Sequence, residues 1–178
     1  KLNFTESSWD HLYIVFKILN QFVITFPEIF QIKHVKTAIR LMNIPDINER
    51  DCLVSFLKNY TKFHQNQFDD IWKELKRALT NVRYDIYTAY CVDPIVSYMS
   101  SQLLSNSSLF VTKYLSKILM THLLPLFDKE KLSLYYMKLS NLIIQIISKD
   151  FSERLNSIQY LLNHFPIQCG LKQPLFVS

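Results

Sequence analysis

Glycine is nearly missing from this chain. Among 178 residues there is one, Gly170, where an average domain of that length carries about a dozen. Loops that cradle phosphates need backbone at positive φ or in close approach to the ligand, as in GxxxxGK(S/T) and GxGxxG, so neither motif is present. The GxSxG nucleophile elbow and the kinase glycine loop are excluded on the same ground. Tight β-hairpins draw on Asn-Gly and Asp-Gly pairs for their primed turns. Without them a sheet-rich fold is disfavoured, and an all-α fold is what remains.

Cysteine is also sparse and unpaired in pattern. Cys52, Cys91 and Cys169 are odd in number and far apart with no CxxC, which predicts neither a disulfide framework nor a zinc finger. Reduced, buried thiols in a cytoplasmic or nuclear protein are expected. The sequons at Asn3, Asn59 and Asn106 arise readily by chance in an Asn- and Ser-rich chain. No apolar run reaches the roughly 18 residues of a membrane span, since Lys17, Asn20 and Gln21 interrupt the longest candidate. The chain opens at Lys1 with no signal-peptide pattern, and a longer parent protein is expected. His11, His34, His64, His122 and His164 never fall at HExxH or His-x3-His spacing, so no metal and no cofactor are predicted.

What the chain has is an apolar interior. Hydrophobic residues make up 49% and aromatics 14%, against 20% charged, a composition that excludes disorder. Prolines at 27, 45, 94, 125, 166 and 174 fall mostly where one apolar periodicity stops and another begins, as at helix boundaries. A first helix starting near Ser7 or Ser8 carries Leu12, Phe16, Leu19, Val23 and Phe26 on one face. Pro27 opens a second, with Phe30, Val35, Ala38 and Met42. Asp46 and Glu49 form a D-x-x-E start signal ahead of Leu53, Phe56, Leu57 and Tyr60. The clearest stripe is Phe68, Ile71, Trp72, Leu75, Leu79, Val82 and Ile86.

Asp93 reads as an N-cap with Pro94 at the first helical position, leading into Val96, Met99 and Leu103. A Ser-Asn-Ser-Ser break at 105–108 separates this helix from one through Val111, Tyr114, Leu115, Ile118 and Leu119, which ends at Leu-Leu-Pro, 123–125. A seventh helix holds Tyr135, Leu139, Leu142, Ile143 and Ile146. Asp150 and Glu153 repeat the start signal before Leu155, Ile158, Leu162 and Phe165, with an extended tail over 167–178. First helices of successive pairs thus begin near 8, 47, 93 and 131, and second helices near 28, 67, 108 and 151. That is a period of about 40 residues, in the range of HEAT and armadillo repeats. The period alone also fits an irregular helical bundle.

Little in the residues points to catalysis. Carboxylate pairs such as Asp69–Asp70 and Glu49–Asp51 sit at helix starts, where negative charge favours the dipole. A cysteine and histidine brought together by the fold would be needed for a hydrolase. The net charge of +5 raises nucleic acid: Lys33, Lys36 and Arg40 share a helix face, as do Lys73, Lys76, Arg77 and Arg83 more loosely. Acids are interspersed and no basic run of five occurs, so solvated helix faces account for them and nucleic acid is not the expected partner. Clustering of Lys33, Lys36, Arg40, Lys73, Lys76 and Arg77 on one face would favour a basic helical-repeat adaptor for nucleic acid or transport cargo.

Several short stretches then resemble, in order and spacing, the B-prime regulatory subunits of protein phosphatase 2A. Trp9-Asp-His-Leu12 is similar to that family's Trp-Pro-His-Leu, and Asn48-Glu-Arg-Asp51 followed by Leu53 to its Arg-Glu-Arg-Asp turn. Tyr60-Thr-Lys-Phe63 resembles Tyr-Gly-Lys-Phe, and Leu123-Leu-Pro-Leu126 resembles Leu-Leu-Pro-Leu-His. Leu132-Ser-Leu-Tyr135, Leu139 and Lys149-Asp150 match a Ser-Leu-Ser-Val-Tyr, Gln-Leu and Glu-Lys-Asp series, and Tyr160 to Pro166 resembles Ala-Leu-Leu-Lys-Tyr-Trp-Pro.

The resemblance implies an α-solenoid of HEAT/armadillo-like helix pairs, about four to five repeats, with pairs over 7–43, 46–87, 93–122 and 128–166. It implies a non-catalytic targeting subunit that binds the scaffold and catalytic subunits of the phosphatase. Substrates would be recruited as short Leu-x-x-Ile-x-Glu segments in a groove between repeats. By position that groove falls on Lys58, Asn59, Tyr60, Lys62 and Gln67, with Met99 and Leu103 on its apolar part. The loop and turn at Asp46, Glu49, Arg50 and Asp51 would face the phosphatase core. Two departures stand out: the family's His-Arg-Ile-Tyr is the shorter Lys58-Asn59-Tyr60, and Gln67 stands where the pocket carries a further arginine. Lysine and glutamine do not reproduce a bidentate arginine clamp on a carboxylate.

Overall fold

The structure, a computed structural model, describes residues 9–80, 89–105, 109–129, 131–150 and 153–164. Of the sequence expectations, Ser7, Ser8, Val82, Arg83, Ile86, the core of the 105–108 break, Phe165, Pro166, Cys169 and the tail over 167–178 lie outside those residues. The described chain is all-α. Its helices are α1 (Trp9–Thr25), α2 (Ile32–Leu41), α3 (Ile47–Phe63), α4 (Phe68–Thr80), α5 (Val92–Ser105), α6 (Leu109–Ile118), α7 (Tyr136–Lys149) and α8 (Glu153–Asn163). None of the described helices is long and apolar enough to cross a membrane.

The odd-numbered helices make one layer, in which α1 packs on α3, α3 on α5 and α5 on α7. In the second layer α2 packs on α4, and α4 on the π-helical turn Leu119–Leu123 that continues α6. The 3-10 turn Leu124–Asp128 follows and receives α8. Each helix therefore finds its main partner in the next pair along the chain, the nearest-neighbour arrangement of a helical repeat protein. The polar ties between helices keep the same spacing. Asn59 Nδ2 donates to Asn20 Oδ1 (3.1 Å), 39 residues away. Ser100 Oγ donates to Gln145 Oε1 (2.8 Å), 45 residues away, and Lys149 Nζ to the Leu103 carbonyl (2.8 Å), 46 residues away.

Local chemistry explains most boundaries. Asp46 caps α3, its Oδ1 accepting from the Asn48 amide at 2.7 Å, which satisfies one of the four amides a helix start leaves open. Pro27 opens a 3-10 turn, Pro27–Ile29, and α2 starts later, at Ile32, behind a capping box between Gln31 and His34. The expected Asp93 cap is corrected by the structure. The helix already runs from Val92, and Asp93 in its first turn instead pairs with Lys138 Nζ of α7 at 2.8 Å. Pro94, third in the helix, is tolerated because amides of the first turn need no intrahelical partner.

The core runs through both layers. Val35, Ile39 and Met42 of the α2 region, Leu53, Phe56 and Leu57 of α3, Ile71, Trp72 and Leu75 of α4, and Leu139, Leu142 and Ile146 of α7 are all buried. Two expected stripes turn out differently. On α1, Val23 is buried and Phe16 and Leu19 pack beside it, while Phe26 is exposed, as is a second stripe of Ile14, Ile18 and Phe22. On α8, Leu155, Ile158 and Leu162 are 73%, 52% and 69% exposed. The buried residue there is Ser157, with Tyr160 and Leu161 packed against the core. Helix α8 packs on the 124–128 turn, and the Tyr160 hydroxyl donates to Asp128 Oδ2 (3.0 Å). Among the described residues, α1 and α8 each have helical neighbours on one side only, and each buries one side only.

The junction of α3 with α5 contains a buried polar pair. Thr61 Oγ1 donates to the Leu57 carbonyl (2.8 Å), and a hydroxyl has one proton to give, so it accepts from Tyr98 Oη at 2.7 Å. Burial pushes the Tyr98 hydroxyl well above its usual range, which keeps it protonated as the donor. Replacing Thr61 by Val strands that donor in a dry interior at an expected cost of about 1–3 kcal/mol. The double variant Thr61→Val/Tyr98→Phe removes both groups and should lie closer to the parent than Thr61→Val alone. Chemical denaturation of the variants checks the ordering, and a neutral Thr61→Val would contradict it.

Candidate functional site

Helix α3 carries most of the residues that the family resemblance implies for binding. At its start, the loop from Met42 is drawn onto the helix by Arg50, whose Nη1 donates to the Ile44 carbonyl (3.1 Å) and whose guanidinium lies 5.1 Å from the Tyr90 ring centroid. Asp46, Glu49 and Arg50 are buried, and Asp51 is exposed. Asp46 Oδ2 and Arg50 Nε have no hydrogen-bond partner among the described residues. Of the four residues expected at a phosphatase-core contact, Asp46 caps the helix and Arg50 ties down the loop, Glu49 is buried, and Asp51 is exposed.

Toward the other end of α3, Tyr60 is fully buried. Its hydroxyl donates to Gln67 Oε1 (2.6 Å), and its ring stacks on His64 at 4.3 Å. His64 Nε2 in turn donates to the Pro27 carbonyl (2.9 Å), since a carbonyl can only accept. Asn59 is tied to Asn20 of α1. Lys58 and Lys62 are exposed, one turn apart on the same helix face. Met99 and Leu103 of α5 are fully buried and belong to the hydrophobic core. What the structure offers from that set is a pair of solvated lysines on a rigid helix.

Sequence reasoning did not single out a cleft that forms between α2 and α4. It has a volume of about 290 Å³ and brings together Lys36, Arg40 and Asn43 with Glu74 and Arg77, over a floor that includes Ile39 and Cys91. Glu74 takes Arg77 Nη1 at 3.0 Å and Lys36 Nζ at 3.6 Å. The shared face of Lys36 and Arg40 is visible in the sequence; the signal that could have found the cleft is the repeat period, which places α4 against α2. Lys33, Lys73 and Lys76 are not part of its lining.

The described thiols are not activated. Burial, then the carboxylates of Asp51, Glu49 and Asp46, push Cys52 above the usual thiol range, and burial pushes Cys91 up to about 12. Among the described residues no histidine lines the cleft that reaches Cys91, and no group of three His, Cys, Asp or Glu side chains stands where it could hold a metal ion.

Comparison with known proteins gives this architecture a lineage. The family described as protein phosphatase 2A regulatory B subunit (B56 family) matches residues 1–178. Similar proteins include the B' alpha isoform of the 57 kDa regulatory subunit of serine/threonine protein phosphatase 2A from Arabidopsis thaliana, 23% identical over 183 residues, covering 98% of this chain and 37% of that one. The B' beta isoform of the same plant is 23% identical over 186 residues, covering 98% and 36%. The B' kappa isoform of Oryza sativa subsp. japonica is 23% identical over 184 residues, covering 97% and 35%. The chain thus spans little more than a third of the length of these curated relatives. The family match over the whole chain, on an all-α repeat of helix pairs, shows that it belongs to the B56 family of protein phosphatase 2A regulatory B subunits.

Proposed function

We propose that the protein is a non-catalytic regulatory and targeting subunit of protein phosphatase 2A, with its helix pairs forming one continuous solenoid segment. It binds the scaffold and catalytic subunits and brings substrates to them. The observation that carries this reading is the family match across all 178 residues. The absence of glycine-dependent catalytic loops from the sequence and the unactivated thiols Cys52 and Cys91 support a role in binding. Such a role needs a broad surface, which a row of stacked helices supplies.

Within that reading, Asp51 and the exposed edge of the α3 start face the phosphatase core, while Asp46, Glu49 and Arg50 hold the turn in shape. Substrate segments are recruited beside Lys58 and Lys62, where two cations one turn apart attract a carboxylate. Lysine gives point charges without the arginine fork, so recruitment here is weaker and more sensitive to salt than a bidentate clamp would be.

Two outcomes are expected. The full-length protein, mixed with purified scaffold and catalytic subunits of phosphatase 2A from the same organism at physiological salt, co-elutes as a ternary complex on size exclusion. Failure to co-elute, with the protein shown folded by circular dichroism, would refute the regulatory-subunit reading. The double variant Lys58→Glu/Lys62→Glu keeps the ternary complex and loses capture of Leu-x-x-Ile-x-Glu peptides. Two surface charge pairs of about 0.2–1 kcal/mol each make that loss roughly two- to thirtyfold in Kd, read by fluorescence anisotropy.

A further inference from the structure

The cleft between α2 and α4 is a site that neither the family membership nor the proposed holoenzyme assigns. We infer that it binds a phosphomonoester carried on a peptide segment of a partner protein. Three cations, Lys36, Arg40 and Arg77, share the cleft with one carboxylate, Glu74, leaving two positive charges in excess. Glu74 is 12% exposed and holds Lys36 and Arg77 from opposite helices, so it fixes their spacing instead of cancelling the site. Arg40 is exposed, and its guanidinium makes no hydrogen bond or ion pair among the described residues. A fork of donors held beside two ordered cations is the arrangement that recognises phosphate oxygens.

The size and charge of the cleft select among anions. A phosphomonoester carries about −1.5 to −2 at pH 7, matching the excess, whereas a carboxylate leaves half of it uncompensated. A nucleic-acid backbone offers one charge per phosphodiester and is gripped by a track of cations that follows the strand. Here Lys33, Lys73 and Lys76 fall outside the cleft, and Lys76 faces His122, whose imidazole pKa is held down by burial first and then by that ammonium. A volume of about 290 Å³ sits at the lower edge of ligand pockets. It admits a phosphoryl group with the side chain that bears it, not a nucleotide. Asn43, at the end of α2, adds an amide for the neighbouring peptide backbone.

The test uses the full-length protein without phosphatase subunits, so that its failure is separate from any failure of holoenzyme assembly. The probes are a degenerate peptide library with a central phosphoserine, its serine twin, its glutamate twin and a polyuridylate oligonucleotide. Retention of the phosphoserine library over both twins is expected. Arg40→Gln or Lys36→Gln should weaken it roughly tenfold or more, the loss of a charge-assisted hydrogen bond worth about 1.5–3 kcal/mol. Glu74→Gln, which removes the competing carboxylate, should bind at least as tightly as the parent, and circular dichroism of each variant controls for folding. Equal retention of serine or glutamate twins, or retention indifferent to Arg40→Gln, would overturn the proposal. So would polyuridylate binding that Arg40→Gln abolishes while the phosphoserine library is not retained.

Discussion

Everything in this molecule depends on helices that cannot bury their apolar faces within their own pair. Helix α3 shows the constraint most fully: it is covered by α1 on one side and α5 on the other, with α2 against it in the second layer. Its Leu53, Phe56, Leu57 and Tyr60 are buried by residues from roughly one repeat before and one repeat after. Because the solvent of each helix is the next helix, the polar groups caught between them must also be satisfied across the same distance. Asn20 with Asn59, Thr61 with Tyr98, and Ser100 with Gln145 do this at separations of 39, 37 and 45 residues. The period is therefore a packing distance expressed along the chain.

That constraint decides how residues resembling the family are used. Arg50 and Tyr60 belong to stretches that resemble the family, and each is buried and engaged in shaping a turn or closing a helix end. A guanidinium bonded to a loop carbonyl and lying over an aromatic ring holds its position through local geometry. Replacing it would leave buried polar groups without partners, at a cost larger than most surface changes. Lineage motifs of this kind report the architecture, while neighbours such as Asp51, Lys58 and Lys62 are exposed and under no such packing constraint.

Much of the fold was legible in the sequence for the same reason. Scarce glycine left helices as the only economical secondary structure, and apolar spacing at three and four residues located α3, α4 and α7 because their buried faces are continuous. The errors occur where a tertiary contact overrides a local signal. Asp93 has the chemistry of a cap, but an ion pair to Lys138 uses it. The apolar stripe of α8 outweighs Ser157 on periodicity alone, yet the small residue is the buried one, and Leu155, Ile158 and Leu162 are exposed. Met99 and Leu103, which the family resemblance alone associates with a groove, lie in the buried core of this chain.

The same logic explains why the basic cleft was half visible. Lys36 and Arg40 share one helix face by elementary spacing, but a single face reads as ordinary solvated charge. Its meaning changes only when the next second-layer helix is laid alongside, because a feature at the exposed edge of one repeat is then brought against the corresponding edge of another. Arg77 and Glu74 arrive from α4 in that way, and Glu74 converts what would be mutual repulsion among cations into a fixed spacing. In a repeat architecture, binding surfaces are built by juxtaposing edges of successive units. Residues one period apart are consequently the ones to read together, and charges that look incidental within a helix acquire a ligand's geometry between two.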